Sequence, residues 1–306
     1  PLQAAKSAQS CRLVIGPWDH AGNFDPRDKL GGADVSASVM DTIAYVERFL
    51  ALHLKGERNP MAGMARCKIF LTGENRWEEA NDWPDATARV RYWLLESDGD
   101  ARGLRGSGKL TTKRSAGADA DTFVFNPENP TRDMSNLAQF AWADPPLDHR
   151  YLQRRDDCLV YTTDPLTSSI KVSGRYNVRL FVSCDRPDTD LFVSICDVHP
   201  DGRAVGLAAT NEPPPGLRLR YREGADAQLL QPGEIYEVLI EGSPLHHVFK
   251  RGHRIRLTIN SSNFPLMARN AGSGLHWAQD DELHPQTNTI HHTEHHASQL
   301  LLPVVD

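Results

Sequence analysis

The pentapeptide Gly16-Pro17-Trp18-Asp19-His20 follows a short apolar run, Cys11 to Ile15, and so presents a histidine on the loop that leaves a predicted strand. Proteins with α/β sheets gather their reactive groups at the C-terminal ends of strands. An imidazole there can act as a general base toward a serine or cysteine within hydrogen-bond reach, with a purely structural histidine as the alternative. The nucleophile is harder to find. No G-x-S-x-G elbow occurs in the chain, and the nearest string, Gly272-Ser273-Gly274, has the wrong spacing. Cys11 opens the predicted strand and reads as core.

Three other groups of residues could carry chemistry. His291, Glu294 and His295 match an H-x-x-E-H zinc-hydrolase string. Two histidines at i and i+4 ligate one metal only on a helix, and the neighbouring residues favour a loop between strands, so no metal and no cofactor are expected. Trp18, Trp77 and Trp83 are candidates to line an apolar substrate pocket, and Trp93, Tyr92 and Trp142 share that chemistry; packing is the competing explanation for each. Asp188, Thr189 and Asp190 could pass for an acidic metal site, but their place before a predicted strand suits Asx-turn chemistry.

The elements that would position these residues fall into two unequal parts. Val35, Val39, Ile43, Val46, Phe49, Leu50 and Leu54 recur every three or four residues, which predicts an amphipathic helix closed by Lys55-Gly56. From about Ala65 the helical period is lost. Short β-branched or aromatic runs then alternate with Pro, Gly, Asp and Asn clusters, predicting about ten strands, at 67–72, 88–95, 121–126, 158–162, 170–183, 190–199, 216–221, 235–240, 254–260 and 300–304. Such a series suits a sandwich or jelly roll. Glu212-Pro213-Pro214-Pro215-Gly216 reads as a stiff connector.

Composition narrows the function. Of 306 residues 40% are hydrophobic and 24% charged, which excludes a disordered or fibrous chain. No apolar run reaches the roughly 18 residues of a membrane span. The formal net charge of −6, with no basic block, argues against nucleic acid as a partner. Five scattered cysteines without a C-x-x-C pair suit free thiols in a reducing cytoplasm, the expected compartment.

Longer strings extend the argument. LVIGPWDH (13–20), LKGERNP (54–60), FLTGENRWEEANDWP (70–84) and FVFNPENP (123–130) are followed in order by RDDCLVYTTDPL, DTDLFVSICDVHPDGRAVGL, LRLRYRE, PGEIYEV, GHRIRLTINSSNFP and LLLPVV. Taken together these resemble the C-terminal portion of the cocaine esterase (CocE/NonD) and X-Pro dipeptidyl-peptidase family of serine hydrolases. The resemblance implies a mainly β fold. Residues 1–60 would be the C-terminal end of an α/β-hydrolase domain (last strand, catalytic His loop, last helix), and residues 61–306 a jelly-roll (β-sandwich, galactose-binding-like) domain. It also implies that His20 is the catalytic base. The family's order of Ser, Asp, then His places both other triad members before this sequence, on an upstream segment or a partner chain.

The implied substrates are small esters, amides or short peptides. A non-catalytic jelly-roll module for binding or assembly, including self-association, is the competing expectation, and a zinc hydrolase through His291, Glu294 and His295 is a third. Because the first sixty residues lack their natural sheet, limited proteolysis is expected to trim the chain before about Met61 and leave a resistant core; equal protection throughout would contradict this.

Overall fold

A computed structural model of the chain describes residues 11–18, 29–30, 33–55, 57, 61, 63–115, 117–132, 148–207, 215–276, 280 and 282–306. The N-terminal part runs through β1 (Leu13–Ile15), a short ladder of β2 (Lys29–Leu30) and β3 (Ala33–Asp34), helix α1 (Thr42–Leu54), β4 (Cys67–Leu71) and β5 (Arg76–Ala80). After it come β6 (Arg89–Glu96), β7 (Lys109–Thr111), β8 (Ala120–Phe125), the single turn α2 (Arg150–Gln153), β9 (Leu159–Thr162), β10 (Ile170–Cys184) and β11 (Asp190–Val198). The chain ends with β12 (Ala204–Gly206), β13 (Gly216–Arg218), β14 (Tyr236–Phe249), β15 (Arg254–Asn260), β16 (Gln286–His291) and β17 (Gln299–Val305).

β1 pairs in parallel with β4, Leu13 opposite Cys67 and Ile15 opposite Ile69, and β4 pairs antiparallel with β5. Parallel neighbours need a crossover, which α1 supplies, so β1, α1 and β4 form a β-α-β unit. This small sheet draws strands from both sides of residue 60. The helix begins later than its apolar stripe. Asp41 caps it, accepting a hydrogen bond from the Ala44 amide at 2.9 Å, while Val35 is buried in the preceding turn. The stripe itself faces outward, with Ile43 61%, Val46 52% and Leu50 44% exposed.

The remaining strands make one sheet, nearly all antiparallel, in the order β12-β11-β15-β9-β7-β6-β17-β10-β16-β8, with β13 added to β11 and β14 to β10. Laid flat, its end strands would stand about 40 Å apart at the usual strand spacing. Yet Phe123 and Phe125 of β8 belong to the same packed core as Leu191, Val193 and Ile195 of β11. The sheet therefore curls so that its apolar faces meet around one interior, joined by Val178 and Leu180 of β10 and Leu257 and Ile259 of β15. Period-two alternation is what allows this: along β17, Leu300, Leu302 and Val304 are buried and the residues between them are not. The predicted strand 216–221 ends at Arg218 and tightens into a 3-10 turn, whereas 235–240 extends to Phe249.

Asp188 and Asp190 make a buried ion-paired cluster instead of a loop turn. Asp188 accepts from Arg220 Nε at 2.7 Å, Asp190 from Arg218 Nε at 2.8 Å, and Asn270 Nδ2 donates to both at 2.7 Å. A second buried carboxylate, Asp121, is fully enclosed and accepts from Ser97 Oγ (2.7 Å), Tyr161 Oη (2.8 Å), the Ala101 amide (2.9 Å) and His292 Nε2 (2.9 Å). It joins the segments after β6 and β16 to β8 and β9. Burial alone would raise the Asp121 carboxyl, but the bonds from His292, Ser97 and Tyr161 outweigh it and hold the group below its ordinary value.

Removing this carboxylate leaves several buried donors unpaired, so Asp121→Ala should destabilise the fold by roughly 3–5 kcal/mol, read from the urea midpoint at constant m-value. A depressed folded-state pKa contributes stability that is present above the unfolded value of about 3.9 and is lost as pH falls through the lower folded value. The gap between wild type and Asp121→Asn should accordingly narrow on acidification below about pH 4.

Candidate functional site

His20 lies outside the described residues, as does Asp19, but the base of their loop is visible. β1 is a parallel strand, and Gly16, Pro17 and Trp18 leave its C-terminal end, the edge where α/β sheets present reactive groups. Trp18 folds back over the strand end and meets Trp77 of β5 at a ring separation of 5.6 Å. Trp77 in turn packs edge-on to Phe70 of β4 at 5.4 Å, and Lys68 Nζ sits 5.5 Å from its ring centre. The loop is thus fastened to the hairpin by an aromatic stack. Gly16 makes room for it, since a Cβ there would come within 2.5–2.7 Å of the Trp18 ring.

The structure brings Trp18 and Trp77 together and leaves Trp83 outside that stack, half-buried after β5, with its indole Nε1 making no hydrogen bond among the described residues. Tyr92 is exposed, Trp93 is buried in the main core, and Trp142 lies outside the described residues. In the H-x-x-E-H string, His291 closes β16 and bonds Ser183 Oγ at 2.9 Å, while Glu294 and His295 follow in bends. The helical face that a zinc site of this type requires is absent from this segment.

One arrangement carries no signal in the sequence. Ser173 Oγ lies 3.0 Å from His246 Nδ1, and His246 Nε2 lies 2.9 Å from Glu78 Oε2, a serine, histidine and carboxylate in series. Two facts argue against catalysis there. Ser173 is fully buried, leaving no path for a carbonyl carbon to its hydroxyl, and Lys171 Nζ neutralises Glu78 at 2.6 Å. Burial would raise the Glu78 carboxyl, but Lys171, His246 and Arg76 hold it below the ordinary carboxylate range. Burial also pushes the His246 imidazole down. The group fastens β5 of the small sheet to β10 and β14 of the large one.

Residues 59–301 match the family model described as the X-Pro dipeptidyl-peptidase C-terminal non-catalytic domain. The chain belongs to that family. It is 35% identical over 308 residues to cocaine esterase of Rhodococcus sp. (strain MB1 Bresler), a match covering 99% of this chain and 53% of that protein. A putative serine esterase of Mycobacterium bovis is 27% identical over 318 residues, covering 98% and 46%. Among solved structures, an aminopeptidase from a marine sediment Thaumarchaeota archaeon superposes with a TM-score of 0.83 at 26% identity, over 97% of this chain and 50% of that one. An α-amino acid ester hydrolase shares the fold with a TM-score of 0.78 at 24% identity, over 96% and 50%. The chain spans about half the length of the relatives it matches.

The aromatic anchor is open to a direct check. Gly16→Ala should push Trp18 off Trp77, lowering the near-UV circular dichroism of the tryptophans while the far-UV spectrum stays unchanged; an unaltered near-UV signal would show that the stack does not depend on the bare backbone at Gly16.

Proposed function

We propose that this chain is the C-terminal half of a serine hydrolase that cleaves ester or amide bonds in small acyl or peptidyl substrates, with His20 as its general base. The observation that carries the reading is the β1-α1-β4 unit. Its parallel strand, crossover helix and parallel strand suit the end of an α/β sheet, with Gly16, Pro17 and Trp18 leaving the C-terminal end of β1 and a helix whose apolar outer stripe is bare. The nearly full coverage of this chain, against about half of each relative, supports the same reading.

In this proposal His20 takes the proton of a serine hydroxyl as it attacks the substrate carbonyl and delivers it to the leaving group. The serine, the aspartate that orients His20 and the donors that stabilise the oxyanion come from residues outside this sequence. Residues 1–60 then end the hydrolase domain, β4 and β5 extend its sheet, and the curled sheet is the jelly roll. Trp18 and Trp77 hold the loop through packing, and Trp83 is the tryptophan left to meet substrate.

A second reading, a jelly roll that serves binding or assembly without catalysis, draws support from the non-catalytic description of the family segment. The two readings part on one experiment. A fluorophosphonate probe acylates a serine only beside a working base. The chain alone should gain no adduct by intact mass. The native protein with its upstream residues should gain one, and His20→Ala should lower its kcat by roughly 10⁶-fold. An adduct on neither protein favours the binding module, and an adduct on the isolated chain would overturn the proposed division of the triad.

A further inference from the structure

Asp197, near the end of β11, and His199, just past it, lie two residues apart and continue the row that carries Leu191, Val193 and Ile195 into the core. An apolar row thus ends in a carboxylate and an imidazole. β15 pairs antiparallel with β11, Val198 opposite Arg254, so the turn before β15 sets His253 beside them. His253 Nδ1 is 2.9 and 3.0 Å from the two Asp197 oxygens. His199 Nε2 is 3.9 Å from Asp197 Oδ2, and the His199 and His253 rings are 4.5 Å apart. Among the described residues, the donor atoms of Asp197, His199 and His253 all fall within 4.8 Å of one another.

A fourth group enters from β14. His247, 5% exposed, points Nε2 at Asp197 Oδ2 from 3.3 Å without the alignment of a hydrogen bond. Its other nitrogen, Nδ1, lies 2.8 Å from Thr72 Oγ1, which also lies 3.0 Å from the His246 carbonyl. Nε2 is thus a buried nitrogen with no aligned hydrogen bond, facing a carboxylate, and the tautomer protonated at Nδ1 would let it share a cation with Asp197.

We propose that Asp197, His199, His247 and His253 bind one divalent transition-metal ion, zinc above all. Three imidazoles with one carboxylate form a donor set suited to zinc and poor for calcium or magnesium, which take oxygen ligands. Tetrahedral zinc with bonds near 2.1 Å spaces its ligands about 3.4 Å apart. The three side chains stand 2.9, 3.3 and 3.9 Å from Asp197, and since only Asp197, His199 and His253 have donor atoms all within 4.8 Å of one another, His247 must turn toward the other two imidazoles to complete the site. Four protein ligands close the coordination sphere, which makes the ion structural. It ties β11, β14 and the turn before β15 together, with Thr72 orienting His247 from behind. His199, its side chain 30% exposed, provides the way in from solvent.

The test uses the whole chain, stripped with chelator, titrated with zinc chloride in a calorimeter and assayed for metal after gel filtration. One equivalent should be retained and should raise Tm. His199→Ala, at a partly exposed position, should keep the metal-free fold by far-UV circular dichroism yet bind zinc at least tenfold more weakly and lose the rise in Tm. Thr72→Val should weaken binding about tenfold by freeing the His247 ring. Changing His295 and His296 to Ala should leave the affinity as it was. No retained zinc would overturn the proposal, as would binding that survives His199→Ala or vanishes with the His295 and His296 changes.

Discussion

The structure hangs on one strand. β10 runs fifteen residues and bonds β14 along one edge while sharing its other edge between β17, at its start, and β16, at its end. A strand that long can serve three partners only if it bends. It does so at a register shift between Arg175 and Asn177, where Tyr176 turns fully into the core. The ring fits because Gly242 faces it, a position where a Cβ would come within 2.4–2.5 Å. The bend lies within the curled sheet, whose single interior brings strands distant in the ladder into contact.

The small sheet is joined to that body by few but varied contacts. Thr72, just beyond β4, exchanges backbone bonds with His246 and Val248 of β14, and Glu78 reaches Lys171 and His246. Neighbouring residues of β14 therefore serve opposite sides: His246 faces the ionic fastening and His247 the polar group at Asp197. Period-two alternation makes this division possible without any change of backbone. Hydrophobic burial holds the curled sheet, whereas hydrogen bonds and charge set how the β-α-β unit leans on it.

Much of this was legible in the sequence, and the exceptions have physical causes. The loss of helical period after about Ala65 gave the mainly β character, and the strand at Arg254 to Asn260 has the predicted limits. β7 and β12 are three residues each, too short to display alternation, and β5 reads RWEEA, a charged string held in the sheet by its hairpin with β4. Asp188 and Asp190 looked like turn residues because their partners, Arg218, Arg220 and Asn270, are some thirty to eighty positions away. The same distance hid the cluster around Asp197, two of whose histidines, His247 and His253, come from further segments. One local signal was present: a row of Leu191, Val193 and Ile195 continued by Asp197 and His199 breaks the apolar pattern where the strand is still buried.

The outward face of α1 also carries dimensional information. From Ile43 to Leu54 the exposed stripe covers eleven helical steps, about 16 Å of axis. A strand lying under it would match that length with about five residues. β4 and β5 have five residues each. The helix is thus cut to the gauge of the two longer strands of the small sheet.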